Sequence, residues 1–459
     1  MMIIWKRKKF RNIGIFTLLI LFFSGCANIQ KPTPIEKTQK EKIQKIEKIY
    51  RPQGKKPSLP VLSKKSDLKT YIRYAIYNNP AVEKAFYKWK ESVEILPAYR
   101  YAPDLQFSLE AQITSGMMDD ILPPLMVMPG IMASYPAKSK IYFAAYAMGL
   151  QAKKNYYIFQ HEILKTSFAV KYIAYQYWII QKRIQLTENI ISILQTMESI
   201  SIAKMKTNNL SLMDIIDIQM EIQKFQNILD NLKDYKHVLK IKFTQTLGIN
   251  PYKSKVILLS PPSDLPFTNN DFKETEIWAT VKKINPSLAR LKTGIQQAEI
   301  LIKLAYSQSK INFGVSLMQS VFSSMSLTEP LITLSIPWRE KVAAEIKASR
   351  AGKKMAQAEF SSGKLELAAM LADSLFRWRK ANREMYLYKT QLIPEITSVM
   401  QISKSSYKTG NLNIEKFLKA NETYFNFYSN YFVSIGMREI YLNDISLIIA
   451  GIIPKGVNL

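Results

Sequence analysis

The chain contains the sequence Lys206-Thr207-Asn208-Asn209-Leu210-Ser211-Leu212 and repeats it, with four of seven residues unchanged, as Lys408-Thr409-Gly410-Asn411-Leu412-Asn413-Ile414. Asn, Gly and Ser are favoured where a helix ends and the chain reverses direction. Each copy follows a segment with almost no Gly or Pro, residues 140–206 and 340–408. A helix of about 65 residues extends on the order of 100 Å. The sequence therefore predicts two long helices, each of which turns back on itself.

The return helices are predicted to run to Leu247-Gly248 and to Ala450-Gly451, and a proline follows three residues after each glycine. Soluble helices rarely exceed about 25 residues unless they are coiled coils. Helices of this length therefore need partners along their whole extent.

Two segments with alternating polarity precede the long helices. Apolar residues alternate with polar residues over 104–114 and again over 311–321, about 206 residues later. Period two is typical of a β-strand with one apolar face. Partner strands are predicted at 125–135 and 331–338. Asn79-Pro80 and Asn285-Pro286 lie on the first helices of the two halves, so the whole chain beyond Ser66 reads as a duplication.

The composition argues against catalysis. Among 459 residues there are two histidines and one cysteine, Cys26, which leaves no material for a Cys/His zinc site or a relay of catalytic side chains. His161-Glu162 begins like a zincin motif, but Lys165 stands where the second histidine belongs. The net charge of +28 is diffuse beyond the N-terminal region, which is more typical of a lysine bias than of a phosphate-binding face. We expect no enzyme, no metal site and no cofactor.

The N-terminus resembles a bacterial export signal. Residues 1–25 have a basic start and an apolar core, Ile13 to Phe23, that is too short to span a bilayer. The segment Phe23-Ser24-Gly25-Cys26 resembles a lipobox, which implies lipidation of Cys26; the alternative is an ordinary secretory signal with an incidental cysteine. Residues 26–65 are rich in Lys and Pro and are predicted to be a linker that buries no core, with a short helix possible at 39–50.

Four strands of about ten residues have the length of membrane-spanning β-strands. Four strands cannot close a barrel, and an open edge in lipid leaves backbone groups unpaired. Several chains must then share one barrel. The alternative is a soluble four-stranded sheet beside a helical bundle.

The chain resembles the outer-membrane efflux protein family, the TolC-like channels, through Asn79-Pro80, Leu392-Ile393-Pro394 and the sequence Tyr407 to Leu412. The resemblance implies a mainly α fold with membrane β-strands, in which a homotrimer forms a 12-stranded outer-membrane barrel continuous with a periplasmic α-helical tunnel. It also implies two repeats, 66–252 and 276–459, joined by an equatorial connection at 253–275.

The resemblance further implies a duct for efflux or type I secretion, with a periplasmic adaptor protein, an inner-membrane pump and outer-membrane lipid as partners, and no nucleic acid. A periplasmic coiled-coil adaptor or scaffold lipoprotein is the alternative function. The exported substrate cannot be read from the sequence, with a lean toward small toxic solutes. Adaptor contacts are expected at the two turns, where the candidate residues are Thr207, Asn209, Leu210, Thr409, Gly410, Asn411 and Leu412.

Charged residues just after each turn are candidates for a periplasmic gate. Asp214 and Asp217 follow the first turn, and Lys416 and Lys419 take the same places after the second. Each pair is spaced i, i+3 and so shares a helix face. We hypothesise ion pairs that hold the tip closed, against the alternative of solvated charges on unrelated faces. The Met-rich stretch 117–132 could contact soft metal ions, but ordinary apolar use of methionine is the preferred interpretation.

Overall fold

A computed structural model of the chain describes residues 30–63, 66–101, 106–113, 125–205, 212–252, 273–322, 325–409 and 411–450. The signal sequence, Cys26 and residues 253–272 of the predicted equatorial connection therefore lie outside the described residues. The chain divides into two compact units. The first comprises residues 1–47, 87–157 and 290–362, and the second comprises residues 48–86, 158–289 and 363–459.

The described elements follow the predicted duplication in their order along the chain. The helices are α1 (Pro34–Tyr50), α2 (Leu68–Asn78), α3 (Pro80–Glu94), α4 (Lys138–Met205), α5 (Leu212–Thr246), α6 (Glu274–Ile284), α7 (Pro286–Ser307), α8 (Arg339–Leu387), α9 (Ile393–Thr409) and α10 (Ile414–Ile448). The strands are β1 (Gln106–Ile113), β2 (Leu125–Tyr135), β3 (Asn312–Phe322) and β4 (Met325–Ser335). Each half thus contains two short helices, a strand pair and a long helical hairpin.

The four strands of the first unit form one antiparallel sheet in the order β1-β2-β3-β4. Phe107 lies opposite Ile131, and Ile131 lies opposite Leu317, so the apolar residues of three strands share one face. This face is uncovered, since the exposed fractions of Phe107 and Ile332 are 77% and 63%. Strands β1 and β4 are the two edges of the described sheet. The period-two prediction of an apolar and a polar face is confirmed.

The predicted strand bounds hold to within two residues for β1, β2 and β3. The fourth strand is wrong by more, because it begins at Met325 rather than at residue 331 and ends at Ser335. Pro330 obscures its first half in the sequence, since a proline donates no backbone hydrogen bond. An edge strand tolerates it: Pro330 lies opposite Leu317 on the single neighbouring strand.

The linker expectation fails for residues 34–50, which form α1 and contribute to a core. In the first unit, Ile43 is buried and Gln39 accepts a hydrogen bond from Trp89 Nε1 at 3.2 Å. Glu36, 1% exposed, forms an ion pair with Arg100 at 3.1 Å. The buried positions Glu36, Gln39 and Ile43 are three or four residues apart and so share one face of α1, while Lys37 and Lys45 are exposed.

The two Asn-Pro pairs have one structural role in the second unit. The backbone N–H of Asn79 donates to Ala75 O and ends α2, while its Oδ1 accepts from Ala81 N at 2.8 Å and starts α3. Its Nδ2 donates to Thr246 O at 2.8 Å, at the end of α5. In the second half Asn285 repeats all three contacts, and its Nδ2 donates to Ile448 O at 2.9 Å. One asparagine thus satisfies groups at three helix ends, one through its backbone N–H and two through its side chain.

The long helices match the predicted segments. Helix α4 has 68 residues, and its counterpart consists of α8, a five-residue π-helical turn at Tyr388–Leu392, and α9. Pro394 explains the turn, because it lacks the N–H that would bond to the carbonyl four residues earlier. Ile393 N–H donates to Tyr388 O instead. Among the described helices, none combines the length and the mean hydropathy that a membrane span requires.

Candidate functional site at the helix reversal

The second unit places the ends of α4 and α9 beside the beginnings of α5 and α10. Their buried side chains, which include Met197, Ile218, Tyr407 and Phe417, belong to one apolar cluster. The second turn is closed by backbone and capping bonds: Asn411 N donates to Ser406 O at 2.9 Å. Asn413 begins α10 by accepting from Lys416 N at 3.2 Å.

A hydroxyl pair links the two hairpins at this end. Tyr407 is 2% exposed and Ser201 is fully buried, and their hydroxyl oxygens lie 2.5 Å apart. Ser201 Oγ also donates to Met197 O at 2.8 Å. A serine hydroxyl has one proton, so Tyr407 donates to Ser201. The ring of Tyr407 stacks on Phe417, with centroids 5.4 Å apart.

Lys204 adds a second contact between the hairpins. Its Nζ donates to Tyr407 O at 2.6 Å and lies 5.3 Å from the centroid of the Tyr407 ring. Burial raises the pKa of the Tyr407 phenol, and the charge of Asp214 raises it further. The phenol therefore stays protonated at neutral pH and remains a hydrogen-bond donor.

The predicted gate residues lie at this same end. Asp214, on the first turn of α5, and Asp217, on the second, are half-buried, while Lys416 and Lys419 are exposed on α10. Lys419 forms an ion pair with Glu422 at 3.4 Å, whereas the hypothesis paired it with Asp214 or Asp217. The hypothesis that Asp-Lys ion pairs help to hold the resting tip closed stays a prediction.

The sequence interpretation missed a charge cluster that joins α5 to α10. Lys224 forms ion pairs with Glu221 at 3.2 Å and with Glu422 at 3.4 Å. The charges of Lys224 and Lys419 lower the pKa of Glu422, so this carboxylate stays ionised well below neutral pH. The i, i+3 spacings of Glu221 with Lys224 and of Lys419 with Glu422 were readable signals.

The adaptor-docking residues are partly described. Thr207, Asn209, Leu210 and Gly410 lie outside the described residues, as do Met117 and Met118 of the Met-rich stretch. Thr409 and Asn411 are exposed, and Leu412 packs against the apolar cluster. Within the described ranges, no group of three or more His, Cys, Asp or Glu side chains could hold a metal ion.

No protein-family model matches the sequence, and no curated protein matches it either. Solved structures do match. The CmeC outer membrane channel of Campylobacter jejuni has a TM-score of 0.73 at 11% identity, covering 88% of this chain and 91% of that one. CusC, described in terms of transmembrane channel formation, has a TM-score of 0.70 at 13% identity, covering 86% and 98%.

A third match is the MtrE outer membrane channel of Neisseria gonorrhoeae, with a TM-score of 0.68 at 11% identity, covering 84% of this chain and 89% of that one. At such identities the likeness concerns the fold. The chain has the fold of the outer-membrane channel proteins, a strand pair and a long helical hairpin in two copies. The TolC-like architecture that the sequence motifs predicted is therefore confirmed at the level of the fold.

Proposed function

We propose that the chain is one subunit of a passive export duct in the outer membrane, and that an inner-membrane pump drives transport through it. The observation that carries the proposal is the four-stranded sheet, which leaves an apolar face uncovered and two edges without a neighbouring strand in the described chain. Unpaired backbone groups cost several kcal/mol each in lipid. Three copies that join β4 of one to β1 of the next would remove every edge and give a 12-stranded barrel.

The helical hairpins are assigned to a periplasmic tunnel that meets an adaptor protein at the turns 206–212 and 408–414. The duplication supports this assignment, since two equal hairpins per chain give six in a trimer. Lipid attached to Cys26 would anchor the N-terminus of the mature chain to the outer membrane. Small toxic solutes are the proposed substrates, and the pump selects among them.

The test is a Cys26→Ala variant behind a cleavable secretory signal, so that no lipid is attached. We expect the product to remain in the outer membrane and to give a detergent complex with the mass of three chains. A soluble monomer in the periplasmic fraction would mean that lipid alone retained the protein. The proposal would then be abandoned in favour of a scaffold lipoprotein.

The charged turn residues are proposed to restrict the resting duct. Exposed ion pairs contribute about 0–1 kcal/mol each, and a threefold assembly would multiply that contribution. Replacing Lys416 and Lys419 together by Asp should raise conductance and antibiotic leakage. Lys242→Asp, at an exposed lysine near the other end of α5, is the matched control. Equal leakage in both variants would dismiss a role of these charges in closure.

A further inference from the structure

A cavity of about 500 Å³ in the second unit has no part in the proposed duct. It is lined by α2 and by Lys171 of α4. Its lining combines the apolar side chains Ile72, Ile76 and Tyr77 with three cations, Lys69, Arg73 and Lys171, and the described residues that line it include no carboxylate. Pockets of this size accommodate small molecules.

Lys171 is the least exposed of the three cations. Its side chain is half-buried, and its Nζ lies 5.2 Å from the ring centroid of Phe168, which is itself buried. Burial lowers the pKa of this ammonium group, and the charge of Lys69 lowers it further. Two like charges at an apolar cavity repel each other, and a bound anion would relieve that repulsion.

The apolar side chains of the cavity lining set a second requirement for the ligand. A hydrophilic anion such as phosphate would satisfy the cations but would leave Ile72 and Ile76 against water. An aliphatic chain that carries one acid group satisfies both parts of the lining. We propose that this cavity binds a small amphiphilic carboxylate, with its hydrocarbon chain on Ile72 and Ile76 and its charge among Lys69, Arg73 and Lys171.

The proposal is independent of the export function, because binding can be measured on the purified chain whether or not it conducts. The experiment uses the full chain in phosphatidylcholine nanodiscs and a photoreactive derivative of octanoate. Crosslinked peptides are mapped by mass spectrometry after chymotryptic digestion. Octanoate, octanol and acetate then compete for the labelled position.

We expect saturable labelling within residues 68–77 that octanoate displaces and that octanol and acetate displace at least about tenfold less well. Lys171→Met should weaken displacement by octanoate about tenfold, since it removes a charged hydrogen-bond donor. Arg73→Met, at an exposed position of α2, should weaken it without affecting packing. Lys165→Met is the matched control on α4, since Lys165 is exposed and lies outside the cavity lining.

Three outcomes would overturn the proposal. If octanol competed as well as octanoate, the cations would contribute nothing to binding. If acetate competed as well as octanoate, the apolar lining would contribute nothing. If octanoate displaced the probe equally well from Lys171→Met, Arg73→Met and the unsubstituted chain, and both variants eluted as the native protein does, the probe would bind outside this cavity.

Discussion

Removing the two partners of the Tyr407–Ser201 link should have unequal costs. In Ser201→Ala the buried phenol of Tyr407 loses its acceptor, and an unsatisfied buried group costs about 1–3 kcal/mol. In Tyr407→Phe, Ser201 still donates to Met197 O at 2.8 Å, so no group is left unpaired. The loss is then that of one hydrogen bond, about 0.5–1.5 kcal/mol. Ser201→Ala is therefore expected to be the more destabilising change.

Native-state hydrogen exchange of the last turns of α9 reports this local stability directly. Faster exchange there is expected in both single variants, and most in Ser201→Ala. In the double variant the phenol is gone, so its stability should approach that of Tyr407→Phe. The coupling energy is then equal in size to the cost of Ser201→Ala, about 1–3 kcal/mol. Ser405→Ala, an exposed serine on α9 whose hydroxyl donates to Gln401 O, is the control. A larger effect of Tyr407→Phe, or additive effects, would refute the donor assignment.

Three further predictions concern a helix junction, two glycines and the Tyr407 phenol. Asn285→Ala should lower the free energy of urea unfolding by about 2–4 kcal/mol, because it leaves Ile448 O and Leu288 N without their hydrogen-bond partner. Asn79→Ala should cost less, because the hydrogen bond from Ala81 N to Asn79 is exposed, and equal effects would count against burial as the cause. Gly248→Ala should prevent folding or cost several kcal/mol, since φ is +76° and a Cβ would lie 2.5 Å from Asn78 O, whereas Gly294→Ala, in open space within α7, should stabilise by about 0.5–1 kcal/mol in thermal unfolding. The pKa of Tyr407 is raised on folding, so this residue should contribute its full stability below about pH 10, the pKa of an unfolded tyrosine, and lose it as the pH rises through the higher folded value. Hydrogen exchange at α9 that is already faster at pH 8 than at pH 7, after correction for intrinsic rates, would contradict this.

Local periodicity was enough to predict most elements of the fold. The alternation from Gln106 to Ile113 and the Gly-poor segments that became α4 and α8 are read along one stretch of chain. The start of β4 was missed because Pro330 and Glu329 break its pattern, although an edge strand accepts both. Helix α1 was anticipated only as a possible short helix at 39–50, and its contribution to a core was missed because the lysine content hid a regular spacing of buried residues.

The candidate site was harder to predict, because its main contact joins distant residues. Ser201 and Tyr407 are 206 positions apart, and only the packing of two hairpins brings their hydroxyls together. The charges after each turn were recognised, but Lys419 pairs with a neighbour on its own helix, Glu422, which the search for matched positions overlooked.

The π-helical turn at Tyr388–Leu392 bears on the number of residues in the second long rod. Pro136 and Pro337, which precede the two long rods, are 201 positions apart, while Lys206 and Lys408, which follow them, are 202 apart. The second rod therefore contains one residue more than the first. In an unbroken α-helix an extra residue would rotate everything beyond it by about 100°. A π-helical turn accommodates one extra residue within a helix, so the turn at Tyr388–Leu392 accounts for the difference in length between the two rods.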